Sequence, residues 1–332
     1  MENKRPLLSI CIPTSNRGKY LIENLSVLIP QLKKTRYDVE LVISENGSSE
    51  DNYRLIKDYI ECQDYPIKFL HTKENIGGRV NFDKAVHNSN GIYTMLLGDD
   101  DILSPNFIEI TCSLLELDRY ACIYFNFFVS DENLQNAGLF SKVYENVTKE
   151  YSPYEFITNM DFDITFMSSL VFKRECWDDG YKYVRDEYFG YEWLSAICWG
   201  VAKQNKPCLS YFFPLCIQRN PPRAWKKMDP IYKYLGQGLL YKDLDSIQTG
   251  FFEVKKRFLK EKYFKRFLIA ITKEQSFYIS YEPLFKEVLS KDEFKSFHRC
   301  LYTKIPSLMR YYYNAIIKFT LLIDGFLKFI KM

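Results

Sequence analysis

The sequence predicts an α/β fold, a mostly parallel sheet flanked by helices, followed by a helical C-terminal extension. Three observations predict it. Short aliphatic runs alternate with stretches of helical spacing on a roughly 30-residue rhythm over the first hundred residues, as in successive βαβ units. The runs are continuously apolar, as strands buried on both faces are. Each run then breaks into a loop rich in Asn, Gly, Ser or Asp. Polar features therefore gather at the strands' carboxyl ends, the rim on which open α/β sheets bind ligands.

Taken in order, Leu7–Pro13 is an aliphatic run ended by proline and predicts the first strand. Thr14-Ser15-Asn16-Arg17-Gly18 is turn chemistry, and Tyr20, Leu21, Leu25, Leu28 and Leu32 then recur at helical spacing. Val39–Ser44 is a second strand, followed by the polar loop Glu45–Asp51 and a helix through Leu55, Ile56, Tyr59 and Ile60. Ile67–His71 is a third, short strand. Asn75-Ile76-Gly77-Gly78 is a turn, and a helix from Arg79 to Asn88 leads into Gly91–Leu97. That fourth strand stops at Asp99-Asp100-Asp101, which the rest of the chain is organised around. Three adjacent carboxylates repel one another unless a cation sits among them. Mg²⁺ is typically held by one or two carboxylates, with substrate phosphates completing its shell. A solvated acidic turn is the competing reading of the tripeptide alone. Pro105–Leu117 reads as a helix, Ala121–Phe128 as a further buried strand, and Asp131–Lys149 as a surface excursion.

Composition bounds the answer. The 332 residues are 47% hydrophobic and 26% charged, enough for one large domain or two smaller ones. A formal net charge of +3 gives no global argument for nucleic acid as a partner. Aromatics reach 17%, which favours stacking and packing surfaces. The nine cysteines are scattered without a CxxC pair, which argues against zinc and for free thiols in a reducing compartment. No signal-peptide core precedes the first strand and no run of about 18 apolar residues occurs, so a cytoplasmic protein is expected.

Ile12-Pro13-Thr14-Ser15-Asn16-Arg17, then Glu45-Asn46-Gly47-Ser48, then Asn75-Ile76-Gly77, then Asp99-Asp100-Asp101, in that order and spacing, resembles a family 2 glycosyltransferase of the GT-A fold. The opening is similar to the bacterial subgroup that includes abequosyltransferases of O-antigen assembly. The resemblance implies a nucleotide-sugar donor held by Pro13, Thr14, Asn16, Arg17, Glu45, Asn46, Asn75, Gly77, Arg79, Asp99 and Arg219. Glu45 departs from the usual aspartate, and plain surface roles compete for Glu45 and Arg79. The aspartates correspond to the family's DxD site for Mg²⁺ or Mn²⁺. Aligned on Ile102, the usual first Asp falls on Gly98 and the second on Asp100. Asp100 is therefore the first choice as metal ligand, with Asp101 and Asp99 behind it.

In the second half, Phe166–Glu175 resembles the family strand that closes the acceptor side and runs into a helix at Cys176-Trp177, with Ser168 and Ser169 facing either acceptor or packing. Tyr191-Glu192 takes the place of the family's acidic pair before a helix, so Glu192 falls on the catalytic base, with Asp186 and Glu187 as alternatives. Its competing role is a helix-start carboxylate facing the dipole. Lys206–Asn220 resembles the last strand, and Pro221–Trp225 either a lid over the sugar or a linker.

The expected organisation is a catalytic domain over 1–225, with its nucleotide-sugar half at 1–105 and acceptor half at 106–225, and an extension over 226–332. In the extension, basic residues from Lys255 to Arg266 interleave with Phe258, Leu259, Phe264, Phe267 and Leu268. Such a helix lies on an anionic membrane or packs as a bundle with a solvated face. The apolar segment Leu308–Met332 is broken by charges and fits an interface better than a span. The implied function is inverting transfer of a sugar to a glycan acceptor, lipid-linked, in capsule or O-antigen assembly, at the inner face of the membrane. Two rivals remain: a binding module of the same fold without chemistry, suggested by the departures at Glu45, Gly98 and Tyr191, and a sugar nucleotidyltransferase, whose glycine-rich phosphate loop is missing from Thr14–Arg17.

Overall fold

The computed structural model describes residues 5–135, 137–140, 148–160, 163–188, 191–220 and 239–251. The chain divides into two units, Met1–Lys227 and Met228–Met332. In the first, β1 (Leu8–Thr14), α1 (Gly18–Lys34), β2 (Val39–Asn46), α2 (Glu50–Glu61), β3 (Ile67–Thr72), α3 (Gly78–His87) and β4 (Tyr93–Leu96) follow the expected alternation. A two-residue strand β5 (Ile102–Leu103), α4 (Phe107–Leu115) and the long β6 (Cys122–Asp131) come next. Then follow β7 (Gly138–Phe140), β8 (Lys149–Tyr151), α5 (Pro153–Met160), β9 (Leu170–Lys173), α6 (Arg174–Gly180), α7 (Glu192–Lys203) and β10 (Cys208–Asn220).

The sheet runs β3-β2-β1-β4-β9-β6-β10-β5, with β7 on β6 and β8 on β10. β1 pairs with β2 and β4 in parallel, and β2 pairs with β3 in parallel. Every residue of β1 is buried, as its unbroken apolar run requires. α1 closes one face with Leu21, Leu25, Leu28 and Leu32, all but inaccessible. Each such leucine contributes about 2 kcal/mol of burial.

Because β1 is flanked by β2 on one side and β4 on the other, a crevice opens at its carboxyl end, the switch point of a doubly wound sheet.

The second half departs from a purely parallel plan. β9 is inserted antiparallel between β4 and β6, and β5 lies antiparallel on β10. The strand expected over Phe166–Glu175 is shorter than its apolar run suggested. Met167–Ser169 form a 3-10 turn, β9 starts at Leu170, and α6 begins at Arg174. The excursion after Asp131 carries β7. Helices α6 and α7 touch backbone to backbone: a Cβ at Gly200 would stand 1.9 Å from the carbonyl of Cys176, and one at Gly180 would stand 1.8 Å from that of Ala196. Only glycine permits this approach, which fixes how α7, whose first residue is Glu192, packs on α6.

In the second unit, residues 239–244 are helical and Leu239, Leu240, Tyr241, Leu244 and Phe251 are buried. The expected lid at 221–225, the basic helix at 255–268 and the terminal segment at 308–332 lie outside the described residues. Among the described residues, no helix is long and apolar enough to cross a membrane.

Candidate active site

Three loops at the carboxyl ends of β1, β2 and β3 are stitched into one surface. Asn16 adopts a left-handed conformation (φ 55°), which asparagine tolerates better than most residues. There its side-chain carbonyl accepts the Ser49 N–H at 2.8 Å, and its own N–H donates to Ser48 Oγ at 2.8 Å. Asn46 donates to Asn75 Oδ1 at 3.1 Å and accepts the Ile76 N–H at 2.8 Å. Asn75 in turn donates to Ser15 Oγ at 3.3 Å. Gly47, at φ +61°, passes so close to Glu74 and Asn75 that a Cβ would lie 2.3 Å from their backbone. Gly77, also left-handed, opens α3. Pro13 is buried at the end of β1.

The last rung of the sheet is a row of polar residues. Thr14 stands in register with Glu45, and Glu45 with His71. Cys11 pairs with Leu96, so Asp99 follows β4 at the level of Thr14. The Thr14 hydroxyl donates to Asp99 Oδ2 at 2.7 Å across the switch-point crevice.

The three aspartates are held differently. Asp101 is buried, with both oxygens engaged: Ser168 Oγ donates to Oδ2 at 2.5 Å and the Arg219 N–H to Oδ1 at 3.2 Å. Ser168 also accepts the Gly98 N–H at 2.8 Å, and Asn24 donates to the Asp101 carbonyl at 2.6 Å. A Cβ at Gly98 would lie 2.4 Å from Asp101 Oδ2, so the carboxylate of Asp101 fills the space that a side chain at 98 would need. Asp99 is also buried, whereas Asp100 is more accessible, with a side chain 15% exposed. The Arg17 guanidinium lies 3.3 Å from Asp99 Oδ1 and also pairs with Asp100 Oδ2. Burial pushes Asp99 up to about 7, the charge of Asp100 adding to it against Arg17 and the Thr14 hydroxyl. Burial likewise raises Asp101, with Asp100 adding to it.

On the far side of Arg17, the Tyr20 ring carries both guanidiniums, Arg17 at 5.3 Å and Arg219 at 5.2 Å from its centroid. Arg219 is buried and pairs with Glu23 at 2.5 Å, and its Nε and Nη2 find no hydrogen-bond partner among the described residues. Arg79 pairs with Asp186, whose side chain is 89% exposed. Asp186–Tyr188 form a 3-10 turn that also contains Glu187. Glu192 opens α7 half-buried, and its carboxylate has no hydrogen-bond or ion-pair partner among the described residues.

The structure thus gathers Thr14, Arg17, Asp99, Asp100, Asp101 and Arg219 at one crevice, with Asn16, Asn46, Asn75 and Gly77 on the adjoining loops. Glu45 is fully buried rather than presented at the rim. Ser168 supports Asp101 from a turn rather than facing an acceptor from a strand. Sequence reasoning passed over Tyr20, Ser48 and His71. Of these, His71 carried a signal, because it ends the third strand on the same rim.

The site explains what the chain resembles. Residues 9–173 match the model described as "Glycosyl transferase family 2". That segment belongs to glycosyltransferase family 2. Abequosyltransferase RfbV of Salmonella typhimurium is 29% identical over 191 residues, 52% of this chain and 54% of that protein. Glycosyltransferase GlyG of Streptococcus pneumoniae is 27% identical, over 49% of this chain and 53% of the relative. The chain thus spans about half the length of these curated relatives. Among solved structures, the Staphylococcus aureus TarS fragment superposes with a TM-score of 0.62 at 13% identity, covering 93% of this chain and 87% of TarS. That likeness concerns the fold: the family 2 domain has the GT-A architecture, a mostly parallel sheet flanked by helices. TarS has also been solved with UDP-GlcNAc, and a Pyrobaculum calidifontis mannosyltransferase (TM-score 0.50, 13% identity, 95% of this chain and 85% of that one) with GDP-Man and Mn²⁺.

The donor set at the crevice suits a hard divalent ion. Among the described residues no three acidic, His or Cys side chains converge as a ready-made cage. Mg²⁺ rarely uses one, since one or two carboxylates plus substrate phosphates suffice. Asp100, the most accessible of the three and engaged by Arg17 alone, meets this need; Asp99 beside it is held by Thr14 and Arg17, and Asp101 by Ser168 and the Arg219 backbone.

Proposed function

We propose that the chain transfers a sugar from a nucleotide-sugar to a hydroxyl of a glycan acceptor, with inversion at the transferred carbon. The observation that carries the reading is the Thr14–Asp99 hydrogen bond at the switch-point crevice, with Arg17 across Asp99 and Asp100. Family membership and the named transferases among the relatives support it. In this reading the donor lies along the rim. Its diphosphate meets Arg17 and the Nε and Nη2 of Arg219, while its nucleoside lies against the loops of Asn16, Asn46, Asn75 and Gly77, with Arg79 at their edge. Asp100 and Asp99 would hold Mg²⁺ or Mn²⁺, which would supply Lewis-acid neutralisation of the diphosphate.

Glu192 is assigned as the base. Its carboxylate, without a partner among the described residues, takes the proton of the acceptor hydroxyl as that oxygen forms its bond to C1 and the bond from C1 to the phosphate oxygen breaks. The nucleoside diphosphate leaves with the electron pair, stabilised by Arg17 and Arg219. Asp186 is the poorer candidate, because Arg79 already occupies it. Residues 1–225 carry this chemistry, and the division of the chain at 227/228 supports that boundary. The basic and aromatic pattern of the C-terminal residues supports a lipid-linked acceptor met at the inner membrane surface.

The test is release of nucleoside diphosphate from a panel of UDP-, GDP-, CDP- and dTDP-sugars with Mn²⁺, with and without lipid-linked oligosaccharides. Release from one donor class, accelerated by acceptor, is expected. Tight donor binding with no release under any condition would instead mark a binding module.

A further inference from the structure

We infer that His71, rather than Glu45, reads the base of the donor, an inference that rests on the nucleotide-sugar reading above. Asp99, Thr14, Glu45 and His71 stand on four adjacent strands or their immediate continuation. The acidic, guanidinium-bearing end of this row suits the diphosphate. The other end lies three strand steps away, about 14 Å at about 4.8 Å per step. That span is comparable with an extended nucleoside diphosphate, so the base falls at the His71 end.

At that end Glu45 is 0% exposed, and both carboxylate oxygens are occupied. Oε1 accepts the Ser48 N–H at 2.7 Å, and Oε2 meets His71 Nδ1 at 2.6 Å. The strand end is pinned around it: Thr72 Oγ1 donates to the Glu45 carbonyl at 3.1 Å and the Gly47 N–H to the Thr72 carbonyl at 3.1 Å. A carboxylate so enclosed cannot touch a ligand without leaving its partners. It acts through the imidazole instead. With Glu45 accepting from Nδ1–H, the tautomer that this pairing selects leaves Nε2 as an acceptor. The His71 side chain is 34% exposed, and the Tyr53 ring backs it at 4.3 Å between centroids, with Phe69 behind Tyr53 at 6.1 Å. The result is an aromatic platform with an oriented acceptor at the rim. Uracil, thymine and guanine offer a ring N–H to such an acceptor. Cytosine and adenine present bare ring nitrogens in the equivalent place. His71 is thus a specificity-determining residue that favours donors of the first group, and Glu45 is its positioning residue.

The experiment is calorimetric binding of UDP, dTDP, GDP, CDP, ADP and inorganic pyrophosphate, each with Mn²⁺, to the full chain and to His71→Asn. The asparagine amide places an N–H where Nδ1 stands, so Glu45 keeps its partner, while Nε2 and the ring are lost. The wild type is expected to prefer UDP, dTDP or GDP. His71→Asn should weaken that ligand at least about 10-fold, the value of one good hydrogen bond, and flatten the preference, leaving pyrophosphate unchanged. A preference for ADP or CDP in the wild type overturns the assignment, and so does an unchanged preference in His71→Asn. Those results leave the transferase reading standing, whereas a wild type that binds none of the nucleotides removes both.

Discussion

Arg17 closes an ion pair on Asp99 at 3.3 Å, reaching from the loop after β1 to the loop after β4, and its other amino group pairs with Asp100. One guanidinium therefore pairs with two of the three adjacent carboxylates and offsets part of their charge. This is how the chain tolerates Asp99-Asp100-Asp101 at the end of a buried strand. The same arrangement makes the charge balance of the crevice dependent on what binds there.

Removing Arg17 tests that balance. Arg17→Ala leaves Asp99 buried beside Asp100 without a counter-charge. We expect a loss of about 1–2 kcal/mol in urea unfolding, below the value for a fully buried pair because the Arg17 side chain is 23% exposed. Millimolar Mn²⁺ should recover part of that loss in the variant. No recovery would place the divalent ion elsewhere.

Asp99 sets a pH dependence. Burial pushes its carboxyl up to about 7, well above the ordinary carboxylate range, so between that range and pH 7 the folded chain holds a proton that the unfolded chain has released. Stability from this group is therefore greatest at low pH and falls as pH rises through about 7. Asp99→Asn removes the titration. In EDTA, the stability of the variant relative to wild type should rise between pH 4.5 and pH 7.5, read from urea midpoints. A constant difference over that range would contradict the shift.

Glu192→Gln separates chemistry from binding. Donor binding should stay within about twofold, while turnover falls by about 10²-fold or more, the contribution of a positioned base. Normal turnover would move the base to Asp186 or Glu187.

Much of this was legible in the sequence, for identifiable reasons. β1, β2 and β4 announce themselves because each is an apolar run buried on both faces and ended by a polar loop, whereas β3, at the sheet edge, is only partly buried and shows itself by its short apolar stretch and the turn after it. The site residues of the first half follow, since the loops sit where the strands end. The fate of each aspartate was not legible. Asp101 is engaged by Ser168 and by the backbone of Arg219, 67 and 118 residues away, and no local pattern encodes such contacts. The same holds for Glu45, whose burial depends on His71 from the neighbouring strand. β9 was read too long because its apolar run continues into Met167–Ser169, where the chain turns so that Ser168 meets Asp101. The antiparallel placements of β5 and β9 carry no signal in periodicity, because a two- or four-residue strand is too short to show one.

In the proposed reading, Asp100 joins a divalent ion and the donor's diphosphate at the crevice beside Arg17. The measurement that tests it most directly is calorimetric binding of the preferred nucleoside diphosphate to wild type and Asp100→Asn, with Mn²⁺ and with EDTA. Wild-type binding should weaken at least about 10-fold in EDTA, about 1.4 kcal/mol, and Asp100→Asn should bind equally weakly under both conditions. Binding by Asp100→Asn that keeps the wild-type response to Mn²⁺ would contradict the account.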